Sequence, residues 1–100
     1  MNITPNSSID YNGFSLAHYL DGMTMRDILN VFPTAWMEGY YDTEKGYDGV
    51  QAGFSTINGN FYIYSRWGQV RLGCLDGQYN PHAKDWVDAI KSAIAAHKGN

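Results

Sequence analysis

This chain is short of cysteine, of positive charge and of any long apolar run, and each shortage excludes something. Its single cysteine, Cys74, can close no intrachain disulfide, so a packed core must carry the stability and a reducing cytoplasm is the expected setting. Seven Lys and Arg stand against ten Asp and Glu, a formal charge of −3. Direct binding to a nucleic-acid backbone needs clustered cations, and none cluster here. No stretch approaches the roughly 18 apolar residues of a membrane-spanning helix. Met1 is not followed by the basic-then-apolar pattern of a secretory leader, so none is expected. His18, His82 and His97 fall into no His-x-x-x-His or Cys-x-x-Cys spacing, and neither a metal nor a cofactor is expected. The acidic run Asp42, Glu44, Asp48 fails as a calcium loop: Gly46 falls at its fifth position and Gly53 at its twelfth, where a bidentate Glu is required. The segment from Gly73 to Gly77 lacks the lysine and the spacing of a phosphate-cradling loop.

What the chain does have is aromatic side chains, with eight Tyr, four Phe and three Trp in 100 residues. One small core cannot hold them all, so the excess is expected on a binding surface or at a subunit contact such as a homodimer. The pattern is clearest over residues 50–75. Asn58-Gly59 lies between two alternating runs, a hairpin signal. A two-residue loop there sets Thr56 opposite Phe61, Phe54 opposite Ile63, Ala52 opposite Ser65 and Val50 opposite Trp67. Period-two alternation then puts Val50, Ala52, Phe54, Thr56, Phe61, Ile63 and Trp67 on one face. A second tight turn at Trp67-Gly68 sets Ser65 opposite Val70, Ile63 opposite Leu72 and Phe61 opposite Cys74, again on that face. Two turns that agree on one apolar face predict a three-stranded antiparallel meander.

The flanking segments complete a single domain over 1–100. Residues 1–12 are polar and read as a flexible arm. Phe14, Leu16, His18 and Leu20 alternate with Ser15, Ala17 and Tyr19 as a short strand would, while Leu16, Ala17 and Leu20 equally suit one helical turn. Thr24 and Asp27 make a capping-box pair, Met23 and Ile28 are placed for a hydrophobic staple, and Pro33 ends that helix at Phe32. Residues 34–49 form a long irregular segment, in which 35–41 could be a strand. Asn80 is placed to cap the last helix, with Pro81 in its first position. Ala83, Trp86, Val87, Ile90, Ala93, Ile94 and His97 form its apolar stripe, and His97 and Lys98 suit its C-terminal dipole. Laying this helix across the sheet buries Trp86, Val87, Ile90 and Ile94 against Phe54, Phe61, Ile63 and Leu72. The expected fold is α+β: an antiparallel three- or four-stranded meander with a C-terminal helix packed on one face and a short N-terminal helix.

Phe14-Ser15-Leu16, the helix end Asp27-Ile28-Leu29-Asn30-Val31-Phe32-Pro33, Lys45 and the strand Gly59-Asn60-Phe61-Tyr62-Ile63-Tyr64 follow one another in a telling order. In this order the chain resembles small, mostly uncharacterised phage-type accessory proteins. Their pattern is a short helix ending Leu-x-x-Val-Phe-Gly-x-Pro, a downstream Lys and a strand reading Gly-x-x-x-x-Ile-Tyr. The chain departs from it where Phe32 runs straight into Pro33, without the glycine. The resemblance spans about Phe14 to Gly73 and implies a phage or mobile-element setting and no active site.

Two surfaces are candidates for function. The first is the loop, where Trp36, Tyr40, Tyr41 and Tyr47 alternate with Glu38, Asp42, Glu44 and Asp48. Aromatic anchors among steering carboxylates suit docking on a protein with a basic surface. In the setting the resemblance implies, the chain would be a non-enzymatic inhibitor of a host or anti-phage defence protein. The competing reading makes these aromatics a cover for the core edge. The second surface is the outer face of the meander, with Gln51, Ser55, Tyr62, Tyr64, Arg66, Gln69 and Arg71. Tyr64 is expected to lie over the bare Gly53 opposite it and to face Arg71 on its other side. Tyr62, Tyr64, Arg66 and Arg71 would make an aromatic and guanidinium platform for a small nucleotide, the chain acting as an oligomer that sequesters a nucleotide signal. Ordinary cross-strand packing, or coverage of this face by the loop from Thr34 to Gly49, is the alternative. Cys74, Asp76 and His82 can be drawn as nucleophile, orienter and base, but the register points Cys74 into the core, where a thiol is a small inert hydrophobe.

Overall fold

The computed structural model describes residues 2–39 and 49–99. Among the described residues six antiparallel strands form one sheet: β1 (Thr4–Pro5), β2 (Ser15–Tyr19), β3 (Trp36–Glu38), β4 (Gln51–Thr56), β5 (Gly59–Arg66) and β6 (Gln69–Cys74). Their order is β1-β4-β5-β6-β2. β3 also pairs with β4, beside Gln51 and Ala52, while β1 lies beside Phe54 and Ser55. Two helices, α1 (Met25–Val31) and α2 (Ala83–Lys98), complete the α+β architecture. The sheet is wider than the three or four strands expected, because strands of two or three residues leave no alternation to read. No helix among the described residues is long and apolar enough to cross a membrane.

The N-terminal arm is not loose, which corrects the expectation for residues 1–12 over the part described. Asn6 donates its backbone N–H to Gly53 O at 2.8 Å and its side-chain amide to Ser55 Oγ at 2.9 Å. Ile9 is buried. A polar segment can be tied down by backbone pairing, which composition does not report.

The first hairpin also differs from expectation. Its pairs are Thr56↔Gly59, Phe54↔Phe61 and Ala52↔Ile63, so the loop is Ile57-Asn58 rather than Asn58-Gly59. Thr56 Oγ1 accepts the Asn58 N–H at 3.1 Å and donates to Gly59 O at 2.9 Å, which closes the chain one residue early. Every partner moves by two residues, so no side chain changes face. Phe54, Phe61, Ile63 and Leu72 therefore all point inward, fully buried. The second hairpin pairs Ser65↔Val70, Ile63↔Leu72 and Phe61↔Cys74 as expected. Trp67, expected on the apolar face, instead occupies its turn and is 73% exposed.

α2 lies over the inner face and buries Trp86, Val87, Ile90 and Ile94 as its stripe requires. His97, expected in that stripe, is exposed and Ala93 only half-buried, because the stripe leaves the sheet in the last turn. A run of rings holds the core: Phe32 meets Phe54 edge-on at 5.1 Å, Phe54 stacks on Phe61 at 5.1 Å, and Phe61 stacks on Trp86 at 5.0 Å. The helix begins at Ala83 rather than Pro81. Asn80 therefore does not cap it: His82 stands at the N-cap, and the Asn80 Oδ1 accepts the His82 N–H at 2.9 Å in the turn that leads in.

α1 starts as its sequence says. Thr24 Oγ1 accepts the Asp27 N–H at 3.1 Å and Asp27 Oδ2 accepts the Thr24 N–H at 3.0 Å. Asp27 also meets Lys98 Nζ at 3.3 Å, tying the start of α1 to the end of α2. Partial burial works against the Asp27 charge, but the Thr24 N–H and Lys98 outweigh it and hold the carboxyl below its usual value. A depressed folded value means stability that is present above about pH 4 and is lost as pH falls through the folded value. Asp27→Asn should therefore cost about 1 kcal/mol at neutral pH and nothing once both states are protonated. Denaturant titrations at the two pH values check this.

Candidate functional site: the outer face of the sheet

Alternation along β5 sends Tyr62, Tyr64 and Arg66 outward, and along β6 sends Gln69, Arg71 and Gly73 the same way. Register then lines up a row across five strands: Glu38 in β3, Gln51 in β4, Tyr64 in β5, Arg71 in β6 and Tyr19 in β2. The next row is Gly53, Tyr62, Gly73 and Leu16. Tyr62 thus sits between two bare positions. Its ring lies directly over Gly73, where a Cβ would collide with it. Gly53 is covered by Asn6 O, Met37 and Ile9, not by Tyr64 as expected. The slipped register brings Tyr62, rather than Tyr64, opposite Gly53.

Three phenols make a row of their own. Tyr11 stacks on Tyr62 at 5.5 Å, and Tyr62 stacks on Tyr64 at 4.5 Å with planes 12° apart. Phe14 closes the row with a tilted contact to Tyr62 at 5.6 Å. Burial, with lesser contributions from the neighbouring phenols Tyr64 and Tyr11, pushes the Tyr62 hydroxyl up to about 12, so it stays neutral. Tyr11 donates to Glu38 Oε1 at 3.2 Å, and the charge of that carboxylate raises the Tyr11 phenol.

Beside this row runs an alternation of rings and guanidiniums. Arg71 lies over Tyr19 at 5.1 Å and over Trp67 at 5.7 Å, while Arg66 lies over Trp67 at 4.7 Å. Arg71 Nη2 donates to Gln69 Oε1 at 3.0 Å, but its buried Nε has no partner. Neither arginine has a carboxylate partner among the described residues. Between the two rows is an open depression of about 480 Å³ lined by Gly49, Gln51, Tyr62, Tyr64, Ser65, Arg66 and Trp67. That volume is within the range of small-molecule sites.

The structure therefore brings Tyr62, Tyr64, Arg66 and Arg71 onto one face. Arg71 is opposite Tyr64 in register, as expected, but its guanidinium rests on Tyr19 and Trp67 while Tyr64 stacks on Tyr62. Of the loop candidates, Trp36 is about half exposed and donates its indole N–H to Gly39 O at 3.2 Å, and Glu38 holds the Tyr11 hydroxyl. Tyr40, Tyr41, Asp42, Glu44 and Tyr47 lie outside the described residues. Sequence reasoning missed Tyr11, Tyr19 and Trp67 as parts of the site. Trp67 carried a usable signal: a two-residue turn written Trp-Gly puts an indole where Asn is favoured. Cys74 is buried with its thiol donating to Gly77 O at 3.6 Å, and burial raises that thiol, as suits a packing role.

Trp67 and Gly68 both have positive φ, 51° and 75°, as a type I′ turn demands. A tryptophan held left-handed costs on the order of 1 kcal/mol. Its exposed contacts with Arg66 and Arg71 return about 0.5–1 kcal/mol each. Trp67→Asn should therefore leave stability within about 0.5 kcal/mol of wild type by thermal melting, while removing the indole from the site. Comparison of the chain with protein-family models, with curated proteins and with solved structures yields no match.

Proposed function

We propose that this chain is a non-enzymatic binding protein that takes up a small nucleotide, and so sequesters it, on the outer face of its sheet. The observation that carries the reading is a depression lined by the stacked Tyr62 and Tyr64 rings and by Arg66, with Arg71 opposite Tyr64 on the next strand and neither guanidinium paired to a carboxylate among the described residues. Tyr64 ends the ring stack among the described residues and offers its outer face to a base, and the guanidiniums supply charge-assisted hydrogen bonds to phosphate. Calorimetry with linear and cyclic mononucleotides tests it. Binding should weaken about tenfold or more in Arg66→Ala and in Arg71→Ala, and should fall in Trp67→Asn at unchanged stability. Silence across the whole panel overturns the reading.

A second reading, inhibition of a host or defence protein with a basic surface, is supported by Trp36, whose exposed ring is held by its bond to Gly39 beside the acidic Glu38. Native mass spectrometry of what copurifies separates the two, and also reports whether the chain is a dimer. A protein partner lost on Trp36→Ala, with no nucleotide retained, favours inhibition.

A further inference from the structure

Two Asn-Gly pairs occur in the chain, Asn12-Gly13 and Asn58-Gly59. A glycine after asparagine leaves its backbone nitrogen open to the asparagine carboxamide, because no Cβ shields it. Both asparagines are exposed and both lie in turns. What separates them is the state of the glycine nitrogen.

Ser65 donates its N–H to Val50 O at 3.0 Å, so these two form a bonded pair where β4 meets β5. Bonded pairs recur at every second residue of an antiparallel ladder. The count from Val50 and Ser65 reaches Thr56↔Gly59, which puts the Gly59 N–H in the ladder at the foot of its turn. Turning that nitrogen toward the Asn58 carboxamide breaks the last rung of the hairpin. Asn58 is held as well, since its N–H donates to Thr56 Oγ1 at 3.1 Å.

Asn12-Gly13 is the opposite case. These are the central residues of the turn Tyr11–Phe14, which is closed by the Phe14 N–H on Tyr11 O at 3.1 Å. Gly13 has a φ of 80°, the value a type II turn requires at its third position. Its N–H makes no hydrogen bond among the described residues, and neither does the Asn12 carboxamide. Only the Asn12 N–H is held, by Asp10 Oδ1 at 2.9 Å. Nucleophile and electrophile are thus adjacent, exposed and unengaged.

We propose that Asn12 is a site of spontaneous deamidation, and that its β-linked product unties the row of rings on the outer face. Gly13 N attacks Asn12 Cγ: the N–Cγ bond forms, the bond from Cγ to the amide nitrogen breaks, and ammonia leaves with the Gly13 proton. Water then opens the resulting succinimide at either carbonyl, giving aspartate or its β-linked isomer. The β-linked chain is one carbon longer between Tyr11 and Phe14, whose rings meet Tyr62 at 5.5 and 5.6 Å. A main chain lengthened inside that turn cannot keep both rings on Tyr62. None of this depends on what the face binds.

Peptide mapping of the full chain after incubation at mildly alkaline pH, folded and in urea, tests the site. In the folded chain Asn12 should convert about tenfold faster than Asn58, the factor that local opening against one hydrogen bond imposes. In urea the two should convert at similar rates. Equal rates in the folded chain overturn the assignment, and so does a gap of the same size in urea, which would belong to the flanking residues. Anion exchange followed by reversed-phase chromatography isolates the β-linked form. Its Tyr62 ring resonances should move away from those of wild type, whereas Asn12→Asp, with the same charge and an ordinary backbone, should leave them in place. A β-linked chain with wild-type Tyr62 resonances overturns the untying of the row.

Discussion

Trp86→Ala should cost about 3–5 kcal/mol, a large share of the roughly 5–15 kcal/mol a 100-residue domain possesses. Trp86 is 1% exposed, stacks on Phe61 and ends the run of rings that begins at Phe32, so no neighbour can fill the space it leaves. Its indole N–H, however, is buried without a partner. An orphaned donor costs about 1–3 kcal/mol, which Trp86→Phe would recover while giving up part of the packing. Trp86→Phe should thus cost about 1 kcal/mol or less, and because both variants delete the N–H, the difference between them reports the packing of the ring. Equilibrium denaturation of both measures it. A loss well above about 1 kcal/mol in Trp86→Phe would mean that the indole N–H finds a partner in solution.

Gly53→Ala should have the second-largest effect, about 2–4 kcal/mol. A methyl group there would occupy the place of Asn6 O and stand 2.8 Å from Met37 Sδ. The carbonyl belongs to the backbone and cannot swing aside, so the N-terminal segment must lift and give up the bond from Asn6 N–H to Gly53 O. Overpacking of about 1–3 kcal/mol adds to a lost hydrogen bond of about 1 kcal/mol. Replacing glycine by alanine in a strand would ordinarily stabilise by about 0.4–1 kcal/mol through the unfolded chain, and the clash outweighs that gain. Hydrogen exchange should show Asn6 losing protection while α2 keeps its own.

The sequence was legible wherever a period repeats. Inward Phe54, Phe61, Ile63 and Leu72 and the stripe of α2 follow from alternation, and the faces survived a wrong register because a shift of two residues preserves parity. The capping box at Thr24 was legible because it is local. What stayed hidden was tertiary. Nothing near Asn6 shows that it will pair beside Gly53, and strands as short as Thr4–Pro5 and Trp36–Glu38 have no pattern of their own. The platform was half legible for the same reason. Tyr62, Tyr64, Arg66 and Arg71 share a face by counting, but Tyr11 and Tyr19 reach it only through the docking of the arm and of β2.

On the proposed function, the outer face of the sheet is the surface that meets a ligand. Amide chemical-shift mapping during titration with a mononucleotide tests this most directly. Saturable shifts are expected at Gln51, Tyr62, Tyr64, Arg66 and Arg71, with Asp85, Asp88 and Ser92 on α2 unmoved. Shifts confined to α2, or none at any of the five face residues, would contradict it.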